Sequence, residues 1–164
     1  MNDTLRHIIR FIWVMLLQAL LFNNLHWLGI VHPYIYILFL ICLPASLPRW
    51  AEMVIGAVTG MTMDVVCCSP GVHMAACVAV SYIRPLLLRR LVQEVERIET
   101  EIRSYTIGFP AFAVLSAILV TVHHSLVVIL EAWNMHMLGW QLLTVLLSSA
   151  LTLMLIFLFD RTKS

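Results

Sequence analysis

The chain alternates long apolar stretches with short polar ones. A helix rises about 1.5 Å per residue, so about 20 residues cross a hydrocarbon core about 30 Å thick. The second stretch is short and is bounded by Pro33, Pro44 and Pro48, so a re-entrant segment is the alternative to a full span there. The pattern predicts an all-α integral membrane protein with six transmembrane helices in one bundle. The six stretches lie at residues 8–28, 33–47, 50–68, 72–88, 105–130 and 138–159.

Composition agrees with this prediction. Hydrophobic residues make up 62% of the chain and charged residues 12%, with a mean hydropathy of +0.95, whereas a soluble domain carries about 25% charged residues. We therefore expect a single polytopic membrane domain over residues 1–164. A formal net charge of +1 gives no indication of nucleic-acid binding. The charged and then apolar start has no small-residue cleavage site after it, which favours a retained first span.

The basic residues predict the orientation of the spans. With six spans and a cytoplasmic N-terminus, all ten Lys and Arg residues fall on the cytoplasmic side, in connecting segments or in the cytoplasmic halves of spans, and none lies in an outer loop. Both termini and the connector at residues 89–104 are then cytoplasmic. The ten residues are Arg6, Arg10, Arg49, Arg84, Arg89, Arg90, Arg97, Arg103, Arg161 and Lys163.

The connector before the fifth span reads RRLVQEVERIETEIRSY. Leu91, Val95, Ile98 and Ile102 are spaced 4, 3 and 4 residues apart, which predicts one apolar face of a helix. Two interpretations stay open. The face rests on lipid headgroups, or it is a docking face for a cytoplasmic partner.

The third span carries Gly56, Gly60 and Asp64 on one narrow stripe. Glycines four residues apart let another helix approach closely, either within the chain or from a partner. A carboxylate in a membrane helix is costly and usually faces protein or water. Asp64 is predicted to be a polar latch with His73 or His124; the alternative is a helix-end residue that forms hydrogen bonds near the membrane surface.

The fifth span offers a second small-residue face, on which Ala117 and Thr121 are candidates for packing a partner helix. His124 lies on the same side. With His73 and Asp64 it belongs to a polar cluster that we expect near the outer surface. The cluster has three interpretations: a structural hydrogen-bond network, a groove for a partner helix or lipid headgroup, or a metal or transport site. No HxxxH or HxH spacing occurs, so the metal signal is weak.

Signatures of soluble catalytic sites are missing from the sequence. It has no Walker loop, no GxSxG and no dinucleotide fingerprint. We expect a non-enzymatic protein with no catalytic residues, no cofactor and no metal.

Several short motifs resemble the MreD family of the bacterial rod-shape system. They are HPYIYILFLICLP, Gly60-x-x-x-Asp64, and PGVHMAA with Gly71 and His73. Met61 stands where a leucine commonly follows the family's glycine. The resemblance covers the whole chain in length, span number and the charged connector. It implies a fold distantly similar to the substrate-binding subunits of energy-coupling-factor transporters.

The resemblance also implies a role and a location. The family acts in the bacterial cytoplasmic membrane with MreC and, through it, with MreB, RodA and an elongation transpeptidase in lateral peptidoglycan synthesis. The first hypothesis is a membrane scaffold that binds the transmembrane helix of MreC. The alternative is a membrane subunit of a transporter that binds a small solute or a metal ion.

Overall fold

The computed structural model describes residues 3–23, 31–93, 95, 98, 100–131 and 138–161. These residues form helices and connecting segments, and an isolated β-bridge joins Pro44 and Glu101. The elements are α1 (Asp3–Leu17) with a π-helical turn (Gln18–Phe22), α2 (Ile37–Ile41), α3 (Arg49–Cys67), α4 (Val72–Leu91), α5 (Ser104–Ile107), α6 (Phe109–Glu131) and α7 (Leu138–Arg161).

Four helices are long and apolar enough to cross a membrane: Arg49–Cys67, Val72–Leu91, Phe109–Glu131 and Gly139–Arg161. They coincide with the third to sixth predicted spans. The first predicted span corresponds to a shorter apolar helix, His7–Phe22, and its predicted end at residues 24–28 lies outside the described residues. The chain is therefore all-helical in its described part, with four helices of membrane-spanning length.

Helices α3 and α4 pack as an antiparallel pair joined by a tight turn. The turn uses left-handed backbone at Cys68 (φ 54°) and at Gly71 (φ 84°), and glycine adopts that conformation without steric cost. A Cβ added at Gly60 would lie 2.5 Å from the His73 carbonyl oxygen, and one added at Gly56 would lie 2.9 Å from the Cys77 carbonyl oxygen. Helix α4 of the same chain thus fills the glycine face, which the sequence left open to a helix of the same chain or of a partner.

Residues 31–47, which we call the core segment, differ most from the prediction. The segment contains one helix of five residues, Ile37–Ile41, which rises only about 7.5 Å. Its residues from Ile35 to Leu43 are nevertheless all buried. A continuous second transmembrane helix is therefore not formed. Instead, the segment runs beside α4. The Tyr36 hydroxyl is hydrogen-bonded to His73 near the start of that helix, and the Leu43 carbonyl accepts from Arg84 towards its end.

The connector also differs from the prediction. Helix α4 ends at Leu91 and the next helix, α5, begins only at Ser104; Glu94, Glu96, Arg97 and Glu99 lie outside the described residues. The four residues of the predicted docking face turn inward. Val95 and Ile102 are buried in the main core, and Leu91 and Ile98 pack against it. This face is thus mostly covered by the protein itself, and Leu91 and Ile98 remain partly exposed.

Candidate functional site

The candidate site is the pair of polar regions that hold the two ends of the core segment. We call the end around Tyr36 and His73 the histidine end, and the end around Glu52 and Arg84 the arginine end. Non-helical backbone is tolerated at membrane depth only where protein or water satisfies its polar groups. The side chains that do so in this chain define the site.

At the histidine end, Tyr36 lies between two histidine rings. Its hydroxyl oxygen is 3.0 Å from His73 Nδ1 and 2.7 Å from His123 Nε2, and all three side chains are buried. The Tyr34 ring packs against the same group, with its centroid 5.2 Å from that of His73 and 5.5 Å from that of His123. We call these residues, together with His124, the histidine–tyrosine cluster.

His124 belongs to this cluster through a chain of hydrogen bonds from the backbone. The Tyr34 amide donates to Thr152 Oγ1 over 3.2 Å, and Thr152 Oγ1 lies 3.3 Å from His124 Nε2. His124 Nδ1 lies 2.9 Å from the Val120 carbonyl oxygen. Nε2 lies 3.3 Å from the His32 carbonyl oxygen as well, so both ring nitrogens face a carbonyl oxygen, which only accepts. His124 is therefore held by its own chain.

The backbone of the core segment finds further partners in two other helices. The Gln18 side chain donates to the Pro33 carbonyl over 3.0 Å and accepts from the Ile35 amide over 2.8 Å. Ser148 Oγ accepts from the His32 amide over 3.0 Å. A glutamine amide carries both a donor and an acceptor, so Gln18 can pair with the segment as a neighbouring strand would.

Asp64 occupies a different position from the predicted latch. Its carboxylate accepts hydrogen bonds from the amides of His73 and Met74, both at 2.9 Å, and from Ser69 Oγ at 2.6 Å. These amides belong to the first turn of α4, which has no intrahelical acceptors for them. Gly71 precedes that turn and has no side chain to cap it. Asp64 meets His73 through the main chain, and the expected pairing with the ring of His73 or His124 is not formed.

A polar cavity of about 200 Å³ opens beside the histidine–tyrosine cluster. It brings His124 together with polar residues from the ends of α6 and α7. Among the residues that the structure describes, no group of three or more His, Cys, Asp or Glu side chains is placed to hold a metal ion. The polar residues that line the cavity are His32, Tyr34, His124, Glu131, Gln141, Thr144 and Ser148.

At the arginine end, a buried ion pair replaces the neutral hydrogen bonds. Arg84 Nη1 lies 2.9 Å from Glu52 Oε2, with exposed fractions of 0% and 1% for the two side chains. Arg84 Nε also donates to the Ile41 carbonyl over 3.1 Å, and Nη2 donates to the Leu43 carbonyl. The guanidinium fork has enough donors to bind a carboxylate and two carbonyls at once.

A second charged group adjoins the arginine end. Arg10 pairs with Glu101, Arg103 Nε lies 3.5 Å from Glu101 Oε2, and Arg103 Nη1 lies 3.7 Å from Asp160 Oδ1. The group links α1, the connector and α7. Together with the Pro44–Glu101 bridge, it explains why the connector lies against the core.

The structure thus brings some of the predicted site residues together and separates others. His73 and His124 lie in one cluster, and Asp64 adjoins it through the backbone of α4. Ala117 is half-buried and Thr121 is exposed.

The sequence prediction did not select Gln18, Glu52, His123 or Thr152. Gln18 is detectable in hindsight as a lone polar residue in a long apolar run. Glu52 lies only three residues from Arg49 at the polar start of its span, so its position resembles that of an ordinary interfacial charge.

The fold and the site define an all-helical chain compatible with a multi-pass membrane protein. No protein-family model, curated protein or solved structure matches it.

Proposed function

We propose that this chain is a non-enzymatic scaffold subunit of the bacterial rod-shape complex, as its resemblance to the MreD family implies. It binds MreC in the cytoplasmic membrane and, through MreC, helps to organise MreB, RodA and an elongation transpeptidase in lateral wall synthesis. Support comes from the use of its buried polar side chains. The buried polar side chains at both ends of the core segment form hydrogen bonds and ion pairs with other groups of the same chain, as a rigid docking platform requires.

The proposal includes a topology of six crossings with both termini in the cytoplasm. The core segment supports it because it runs beside α4 from His73 to Arg84, which are about 16 Å apart along that helix. This passage returns the chain from the end of α1 to the start of α3 without a second long helix. A distant likeness to the substrate-binding subunits of energy-coupling-factor transporters is part of the same proposal.

The partner surface that we propose lies on α6. Helix α4 fills the face of Gly56 and Gly60, whereas Thr121 is exposed and Ala117 is half-buried. Small side chains let a second helix approach closely, and in lipid this close packing is a main source of helix association. The exposed small residue at Thr121 is the observation that carries the choice of face.

Copurification with MreC tests this surface. Thr121→Trp should prevent the close approach of a second helix and lower recovery of MreC in mild detergent by roughly tenfold, the effect of about 1.4 kcal/mol. Leu130→Trp is the matched control, because Leu130 is 40% exposed on the same helix and lies two and a half turns from Thr121, on the opposite side. Equal recovery with both variants at normal protein levels would reject Thr121 as the contact.

A second function is favoured by the polar cavity beside the histidine–tyrosine cluster. A space of about 200 Å³ lined by Glu131, Gln141 and His124 suits a small polar solute, as a transporter subunit would need. The same purification separates the two functions. Recovery of transporter ATPase subunits without MreC would support the transporter, and recovery of MreC without them would support the scaffold.

A further inference from the structure

The polar cavity beside the histidine–tyrosine cluster has a carboxylate in its wall. Its volume is about 200 Å³, and Glu131, Thr144 and His124 are among its lining residues. Glu131 is the last residue of α6, and Thr144 lies in the second turn of α7, which begins at Leu138. The cavity therefore lies at the end of the bundle where α6 ends and α7 begins. Among the lining residues that the structure describes, Glu131 carries the one carboxylate.

The sequence places no lysine or arginine near this carboxylate. Residues 24–30 and 132–137 lie outside the described part of the chain, but they contain no Lys or Arg either. Arg103 precedes the start of α6, and Glu131 lies about 33 Å along that helix from its first residue. A basic side chain of this protein is therefore not available to neutralise Glu131. The stretches of sequence without Lys or Arg are residues 11–48, 50–83 and 104–160.

The hydrogen-bonding groups of the wall add a second constraint. The Thr144 hydroxyl donates to the Trp140 carbonyl over 3.0 Å, so its oxygen remains as an acceptor. An ionised carboxylate also only accepts. Glu131 and Thr144 are therefore matched by a group that is positively charged and rich in donors. A primary ammonium group meets both conditions, because it carries one positive charge and three N–H donors.

The size of the cavity limits the ligand to a few heavy atoms. A water molecule takes up about 30 Å³ in the liquid, so the cavity has room for roughly six. Val127 and Val128 supply an apolar wall for carbon atoms. We propose that the cavity binds a small primary ammonium compound, whose nitrogen donates to Glu131 and Thr144. The proposal names the solute class for the transporter function proposed above and rests on that function.

Calorimetric titration of the purified full chain in a neutral detergent tests the class of ligand. The probes are butylammonium, tetramethylammonium and 1-butanol, which have equal numbers of heavy atoms. Of these three probes, butylammonium combines a positive charge with N–H donors. The titration is made at about pH 8, the upper limit of the range in which histidine ordinarily titrates, so that histidines do not supply the positive charge. We expect butylammonium to bind roughly tenfold more tightly than either of the other probes.

Variants of the two wall groups test the position of the nitrogen. Glu131→Gln keeps the length of the side chain without its charge and should weaken butylammonium binding roughly tenfold, whereas Glu131→Asp should retain most of the affinity. Thr144→Val should weaken binding roughly threefold. Thr62→Val is its matched control, because the Thr62 hydroxyl also donates to the carbonyl four residues earlier and Thr62 does not line the cavity. Thermal unfolding verifies that each variant is folded.

Three results would overturn the proposal. The first is that the folded wild type binds butylammonium no more tightly than tetramethylammonium. The second is unchanged butylammonium binding in folded Glu131→Gln. The third is displacement of butylammonium by sodium chloride but not by choline chloride at the same ionic strength, which would mean a site for an alkali ion. Recovery of transporter ATPase subunits is measured separately, so failure of the solute class is distinguished from failure of the transporter function.

Discussion

Both ends of the core segment satisfy the hydrogen-bonding groups of non-helical backbone, but they do so with different side chains. At the histidine end, neutral hydrogen bonds with the side chains of Gln18, Thr152 and Ser148 satisfy backbone amide and carbonyl groups. At the arginine end, the buried ion pair of Glu52 and Arg84 satisfies the carbonyls of Ile41 and Leu43. The comparison shows that a non-helical passage through an apolar bundle depends on a few side chains at each end.

The two ends differ in how much the free energy of unfolding falls when one of their interactions is removed. Removal of one neutral hydrogen bond typically costs about 0.5–1.5 kcal/mol. Removal of one partner of a buried ion pair costs about 3–5 kcal/mol, because the other charge stays buried without compensation. The arginine end should therefore be the more sensitive of the two, although it contains fewer side chains.

The largest expected effect is that of Arg84→Met. The substitution leaves the Glu52 carboxylate and two carbonyls without their partner. We therefore expect the free energy of unfolding to fall by about 3–5 kcal/mol. This corresponds to a fall of roughly 10 °C in Tm, measured by thermal unfolding in detergent. Arg90→Met, at an exposed position six residues further along α4, should change Tm little.

A double variant sharpens this result. Glu52→Leu combined with Arg84→Met should recover part of the stability, because no buried charge then remains, while the carbonyls of Ile41 and Leu43 still lack a donor. If Arg84→Met alone leaves Tm within the range of Arg90→Met, the ion pair does not hold the segment.

An intermediate effect is expected for Asp64→Leu, at the α3 residue whose carboxylate caps the start of α4. The variant removes three accepted hydrogen bonds and the cap of the first helical turn, with a loss of about 2 kcal/mol. Asp64→Asn keeps one side-chain oxygen and should lose about half as much. Tm and accumulation in the membrane measure both variants. Equal and complete loss of function in two well-folded variants would contradict a purely structural capping role for Asp64.

The smallest effect is expected for Tyr36→Phe. This variant removes only the hydroxyl shared by His73 and His123 and should cost about 1 kcal/mol, compared with almost nothing for Tyr105→Phe at a 68% exposed position. Thermal unfolding of the two variants side by side measures the difference. A loss as large as that of Arg84→Met would contradict the contrast between a neutral end and a charged end.

The sequence by itself determined the four long membrane helices, because about 20 consecutive apolar residues are sufficient to define such a helix. It also determined that Gly56 and Gly60 form a close-packing face, because the missing side chains permit contact with any helix. Which helix fills that face depends on the short turn between α3 and α4, and the sequence left a partner as an alternative.

Only the tertiary structure decided what the core segment and the connector do. Hydropathy records that a residue avoids water, but it does not distinguish burial in lipid from burial in protein. The apolar run at residues 33–47 therefore predicted a span, although its backbone relies on Gln18, Arg84 and Thr152, which are distant in sequence. In the same way, the spacing of Val95 and Ile102 predicted an external face, although the ion pairs of Glu101 hold that segment against the core. Hydrogen bonds and ion pairs between distant residues leave no periodic pattern in a single sequence, and for that reason the fold alone revealed them.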